Sequence, residues 1–306
     1  MKQSGDILLI SCYELGHQPL GLASPIGFLE VAGYAATGVD AAAEKIPSFR
    51  VSAAKFIGVA VPMHTAMCIG VEISERIRKI NPDAHLCFYG LYASLNADYL
   101  LENVADSVIG GEYEQPMLSL IQALDAGDTK PSPGVRTRTN TASPFLKRLS
   151  FATPKRSTLP RLNQYAHLDT GSATAPAGYV EASRGCLHTC LHCPITPVYE
   201  GRFFIVPSDV VLEDIRQLVG MGAKHITFGD PDFLNGPGHT LKITRMLHAE
   251  FPDVTFDITT KIEHILKHHE VFGELKSLGC AFVVSAVESV SDLVLKRLKK
   301  GHSKVD

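Results

Sequence analysis

Short apolar runs separated by amphipathic stretches dominate residues 1–127: Ile7-Leu8-Leu9-Ile10, then Phe56 to Val61, His85 to Tyr89 and Ser107 to Ile109. Runs of this length without polar alternation predict parallel strands covered on both faces. Ala66, Ile69, Gly70, Ile73, Ile77 and Ile80 keep the spacing of one helical face, and Glu75, Arg76, Arg78 and Lys79 occupy the other. Gly90, Gly110 and Gly111 follow strand ends, where a doubly wound sheet opens its ligand crevice. Residues 1–127 are therefore expected to form a flavodoxin-like or Rossmann-like α/β domain. Over 128–177 the periodicity is lost and proline, serine and threonine prevail, which predicts a linker. Alternation resumes over 178–306. Strands are expected at Tyr179 to Ser183, His225 to Phe228, Val254 to Thr259 and Ala281 to Val287, each followed by a helix, at Ser208 to Val219, Thr240 to Glu250, Glu263 to Leu278 and Asp292 to Lys299. Four such units fit a parallel (β/α) barrel or part of one, with its chemistry at the C-terminal strand ends.

Composition narrows the function classes. The 306 residues are 45% apolar, enough for two cores, and 29 Lys plus Arg against 32 Asp plus Glu leave a charge of −3. No global field attracts nucleic acid or anionic lipid, so neither a nucleic-acid nor a membrane partner is expected. The chain shows neither a bilayer-length apolar run nor a signal-peptide pattern, which points to the cytoplasm. One local exception is Lys130 to Arg161, with eight basic residues and no acidic one. A solvated tether is the expectation there, a contact with an acidic partner or nucleic acid the alternative. No G-x-G-x-x-G follows the first strand, which argues against nicotinamide or flavin.

Of the seven cysteines, Cys12, Cys68, Cys87 and Cys280 are scattered, while Cys186, Cys190 and Cys193 stand in the loop after a predicted strand, spaced C-x3-C-x2-C. Three thiolates can hold an iron–sulfur cubane and leave one iron open. They can equally hold zinc, with His188 or His192 as a fourth ligand. After the next strand, Phe228-Gly229-Asp230-Pro231-Asp232 offers a close backbone approach and a carboxylate, or simply a turn. Ser285 and Glu288 follow the last strand and could serve as a helix cap. Asp257 to Lys261 ends the third strand at the same mouth, and His264, His268 and His269 have the spacing of a solvated helix surface.

On these motifs, residues 179–300 resemble the radical S-adenosylmethionine superfamily, whose hallmark is this cysteine loop after the first strand of a partial barrel. The resemblance implies a [4Fe–4S] cluster on Cys186, Cys190 and Cys193 and S-adenosylmethionine on the open iron. His192 takes the aromatic position before the third cysteine, and Gly229, Asp230, Ser285 and Glu288 surround the cofactor. It further implies a 5′-deoxyadenosyl radical, an external one-electron reductant and an unidentified small-molecule or peptide substrate.

The first domain is similar to the cobalamin-binding domain that precedes the barrel in one radical subfamily. The likeness rests on Ser24 to Leu29 opening a helix, Phe56-Ile57-Gly58-Val59 as a central strand, and Gly111-Glu112-Tyr113-Glu114 before a helix from Pro116 to Leu124. The Asp-x-His-x-x-Gly cobalt-ligating sequence is absent, and Gly90-Leu91-Tyr92-Ala93 is bulky where small residues are expected. Bound cobalamin and a domain without it both stay open. With cobalamin, the resemblance implies methyl transfer to an unactivated carbon; without it, rearrangement, thiolation or coupling. A non-catalytic metal-binding module is the rival from another class. The whole chain is most similar to orphan cobalamin-type radical proteins with a cysteine- or selenocysteine-bearing tail, which is lacking here. Four strand–helix units are fewer than the family barrel has, so a fragment with the last strands missing is expected.

Overall fold

The computed structural model describes residues 1–128, 132–171 and 173–306; Lys130 of the basic stretch lies outside them. The chain divides into two compact units, Met1–Gln164 and Tyr165–Asp306.

The first unit runs β1 (Ile7–Ser11), α1 (Leu20–Val31), β2 (Ala36–Asp40), α2 (Ser48–Ala53), β3 (Phe56–Ala60), α3 (His64–Ile80), β4 (His85–Tyr89), α4 (Leu91–Leu95), α5 (Ala97–Asn103), β5 (Ser107–Ile109), α6 (Glu114–Ala126) and β6 (Val135–Thr137). Its six strands lie in the order β2-β1-β3-β4-β5-β6, parallel except for β6, which runs antiparallel to β5. Strand alternation splits the core. Leu8, Ile10, Val59 and Phe88 pack on one face, while Ile7, Leu9, Phe56 and Tyr89 pack on the other, with Leu22 and Ile26 of α1. Pro25 lies inside α1 and has no N–H to give the Gly21 carbonyl; the Tyr89 hydroxyl donates to that carbonyl instead, at 2.7 Å.

The basic stretch expected to run as a solvated tether is packed onto this unit over its described part. Besides contributing β6, it places Phe145 beside Gly111, which has φ +74° and a Cβ position 2.4 Å from the Phe145 carbonyl oxygen. Lys155 N–H donates to the Ala23 carbonyl. Arg156 is fully buried, its guanidinium 3.2 Å from the Gln18 carbonyl. The correction has a physical reason: a charge this deeply buried stays only where acceptors meet it.

The second unit begins with β7 (His167–Asp169) antiparallel to β8 (Thr174–Val180). It continues through β9 (Ser183–Gly185), α7 (Thr196–Tyr199), β10 (Phe203–Ile205), α8 (Ser208–Gly220), β11 (His225–Phe228), α9 (Pro237–Glu250), β12 (Thr255–Thr259), α10 (Ile262–Lys267), α11 (Val271–Ser277), β13 (Cys280–Val284) and α12 (Asp292–Leu298). The sheet order β13-β12-β11-β8-β7, parallel from β8 to β13, is an open partial barrel. The first strand of this barrel ends at Val180, short of the expected Ser183. The helix expected over 263–278 is broken at His268 to Glu270 into α10 and α11. At the β13 edge Phe282, Val283 and Val284 are exposed. Among the described residues no helix is long and apolar enough to cross a membrane.

Candidate functional site

The cysteine loop leaves the carboxyl end of β8 through the short β9, clamped antiparallel to β10 by pairs such as Gly185 with Phe203. Gly185 has φ +75°, and a Cβ there would sit 2.4 Å from the Arg202 carbonyl oxygen and 2.5 Å from the Tyr199 ring. Only glycine fits, and the corner it makes launches Cys186. Cys186 N–H donates to the same Arg202 carbonyl, Cys193 N–H to the Cys190 carbonyl, and the Thr196 hydroxyl to that carbonyl at 2.9 Å. Leu191 N–H donates to the Leu298 carbonyl, tying the loop to the end of α12.

Cys186 and Cys190 are buried, Cys193 less so. Burial pushes the Cys186 thiol up, opposed by hydrogen bonds from the His188 backbone and from Asn235, whose amide nitrogen lies 3.6 Å from Sγ. Such donors stabilise thiolate bound to metal. The one set of three ligand atoms drawn within 4.8 Å of one another, among the described residues, is that of His188, Asp232 and His264. The cysteine sulfurs are not part of that group.

Of the other predicted residues, His192 and Glu288 meet: Nε2 lies 3.2 Å from Oε1, and Lys300 Nζ, almost fully buried, is 3.3 Å from the same oxygen. Glu288 stands at φ +63°. Burial acts to raise its carboxyl, but Lys300 and His192 outweigh this and hold it below the usual range. The Ser285 hydroxyl is a buried oxygen without a hydrogen-bond partner, as an absent polar ligand would leave it. Gly229 lies under the Tyr179 ring, 2.0 Å from where a Cβ would be, and its N–H donates to the Val180 carbonyl. Asp230 turns toward the loop base: its carboxylate accepts from Ala182 N–H at 2.9 Å and the Ser183 hydroxyl at 2.5 Å. Burial pushes its carboxyl up to about 7 against those two bonds.

Four residues given no role from the sequence belong to this region. Asn235 and Lys300 contact the cysteine loop or its partner, as described. Asp232 and His264 are buried, and His264, expected at a solvated surface, is 2.8 Å from Asp232. Nothing in the spacing of the α10 histidines marked this, because it depends on a contact across 32 positions.

In the first unit the sheet order reverses between β1 and β3, the place where such folds bind ligands. There Ser11, at the end of β1, is fully buried with its hydroxyl unpartnered. Gly90 has φ +103° and leads straight into α4 with Leu91 and Tyr92. The orphaned hydroxyl fits a polar ligand at the crevice, while the loop after β1, Cys12 to His17, lacks the sequence that ligates cobalt.

Residues 180–305 match the Radical SAM superfamily. The second unit is a radical SAM domain. The chain is similar to the hopanoid C-3 methylase of Methylococcus capsulatus, 25% identical over 238 residues that span 75% of this chain and 44% of that protein. It is also similar to a tRNA-2-methylthio-N(6)-dimethylallyladenosine synthase of Oleidesulfovibrio alaskensis, 31% identical over 140 residues, 41% of this chain and 29% of that one. The fold is like that of TsrM from Kitasatospora setae, described as a radical S-adenosylmethionine methyltransferase with cobalamin and a [4Fe–4S] cluster bound. The TM-score is 0.74 at 18% identity, covering 98% of this chain and 62% of that one. The chain thus spans less than half the length of the hopanoid methylase, and both units have a counterpart in the TsrM fold.

Proposed function

We propose that this chain acts in a cobalamin-dependent radical S-adenosylmethionine methyltransferase working on an unidentified small-molecule or peptide substrate in a reducing, cytoplasmic setting. The observation that carries this reading is the cysteine loop at the mouth of the partial barrel, braced by Gly185 beneath it and by α12 and Lys300 beside it. Cys186, Cys190 and Cys193 hold the cluster, and Asn235 donates toward the Cys186 sulfur. His192, Gly229, Ser285 and Glu288 line the S-adenosylmethionine site, with Ser285 supplying the hydroxyl that now has no partner. Asp230 fixes the β8 corner against the loop from which the ligand is held. Bound, the cluster and S-adenosylmethionine supply reductive cleavage to a carbon radical, given one electron from an external reductant. Cobalamin, as the methyl carrier, would lie at the β1 and β3 ends, with Ser11 facing it.

A second reading, radical chemistry without cobalamin such as thiolation, is favoured by the missing cobalt-ligating sequence and by the bulk of Leu91 and Tyr92. Anaerobic reconstitution followed by iron, sulfide and cobalt analysis separates the two. The expected result is one cubane and one cobalt per chain, with 5′-deoxyadenosine formed on reduction and abolished by Cys190→Ala. Iron with no cobalt uptake selects the second reading, and stoichiometric zinc without visible cluster absorbance overturns both.

A further inference from the structure

We propose that His188, Asp232 and His264 form a mononuclear site for a divalent first-row transition ion, separate from the cysteine thiolates. Two imidazoles converge on one carboxylate oxygen: His188 Nε2 lies 3.1 Å and His264 Nδ1 2.8 Å from Asp232 Oδ2. Ligands on a tetrahedral ion with bonds of about 2.0–2.2 Å stand roughly 3.3 Å apart, so an ion needs only slight opening of the group. Two imidazoles with one carboxylate are a recurring ligand set for zinc and ferrous iron, and three protein ligands leave a position open for a small ligand.

His264 is nine-tenths buried, with Nδ1 2.8 Å from the same carboxylate oxygen, so both imidazoles and the carboxylate face one point. The surroundings are those of a metal ligand set. The other oxygen, Asp232 Oδ1, accepts from the Thr260 hydroxyl at 2.7 Å and Leu234 N–H at 3.2 Å, which fixes the carboxylate with Oδ2 turned to the two imidazoles. His188 Nδ1 lies 3.7 Å from Glu263 Oε2, a negative charge beside the imidazole but beyond direct hydrogen-bond distance. Lys261, 3.0 Å from Glu263, tempers the added negative charge. His188 and Glu263 keep partial exposure, which gives an ion an entry path. The site stands whether or not the cysteines carry a cluster.

The test uses the full chain with Cys186, Cys190 and Cys193 all replaced by Ala, titrated anaerobically with Co²⁺ and separately with Zn²⁺. The expected result is one Co²⁺ per chain with ligand-field bands of nitrogen and oxygen ligands, no thiolate charge transfer, and a Zn²⁺-dependent rise in melting temperature. Adding His188→Gln or His264→Leu should weaken binding at least about tenfold, and Thr260→Val by roughly 10–100-fold, with circular dichroism confirming the fold. If an imidazole variant does not fold, Thr260→Val decides. No uptake, or uptake unchanged by these substitutions, overturns the proposal in favour of a plain hydrogen-bonded cluster.

Discussion

Replacing Asp230 by Asn removes a charge that the fold buries almost completely between the Ala182 N–H and the Ser183 hydroxyl. Burial pushes the carboxyl from 3.8 to about 7, despite the pull of both hydrogen bonds in the other direction. An acid raised on folding supports the fold fully below its unfolded pKa, and that support is lost as pH rises through the folded value. The rise is roughly three units, which at about 1.4 kcal/mol each sets an upper bound of about 4 kcal/mol. Asparagine can accept from Ala182 through Oδ1 and donate to Ser183 through Nδ2, at a pH-independent cost of about 1 kcal/mol for exchanging the neutral carboxyl's hydrogen bonds for those of an amide. Asp230→Asn should therefore gain on the parent protein steadily between about pH 4 and pH 7 and hold level above that. Asp232, Glu263 and Glu288, all held below the usual carboxylate range, lose stability in the opposite direction as pH falls. They do so in both proteins and cancel in the difference. Urea unfolding of the two proteins across that window, in the same metal state, reads it directly. Parallel stability curves would refute the buried charge.

Two further substitutions probe the packing. Gly185→Ala forces a side chain into a left-handed backbone 2.4 Å from the Arg202 carbonyl oxygen, and should destabilise the second unit by about 1–3 kcal/mol and lower iron uptake on reconstitution, measured by melting and metal analysis. Arg156→Met withdraws the donor from the Gln18 carbonyl and should cost the first unit about 1–3 kcal/mol by urea unfolding; a change within about 0.5 kcal/mol would restore the tether.

The parallel strands were legible because strands covered on both faces write themselves as short apolar runs: β1, β3, β4, β5, β11 and β12 fall where such runs predict them. β2 left no such trace. Its sequence is Ala-Thr-Gly-Val-Asp, at the sheet edge and with no apolar run, Gly38 being pressed by Ile26 and Leu159. β6 is three residues long and pairs with the antiparallel edge of β5, a partner 26 to 30 positions upstream that local composition cannot announce. The break between α10 and α11 at His268 to Glu270 likewise carries no glycine or proline to mark it.

The candidate site divides along the same line. The cysteine motif is local, and its spacing carries its chemistry. What surrounds it is not local: His192 meets Glu288 across 96 positions and His188 meets Asp232 across 44. Sequence periodicity reports which side of an element is polar and leaves open whether that side faces water or another polar group. Solvent is the default for a histidine on a helix, and for His264 it fails because α10 starts right after β12, which delivers its first turn to the Asp232 loop. Buried charge costs several kcal/mol unless a partner is fixed in place, so each polar group found inside identifies a long-range contact that the fold had to make. Those contacts, more than the motif, determine what the loop can hold and in which orientation.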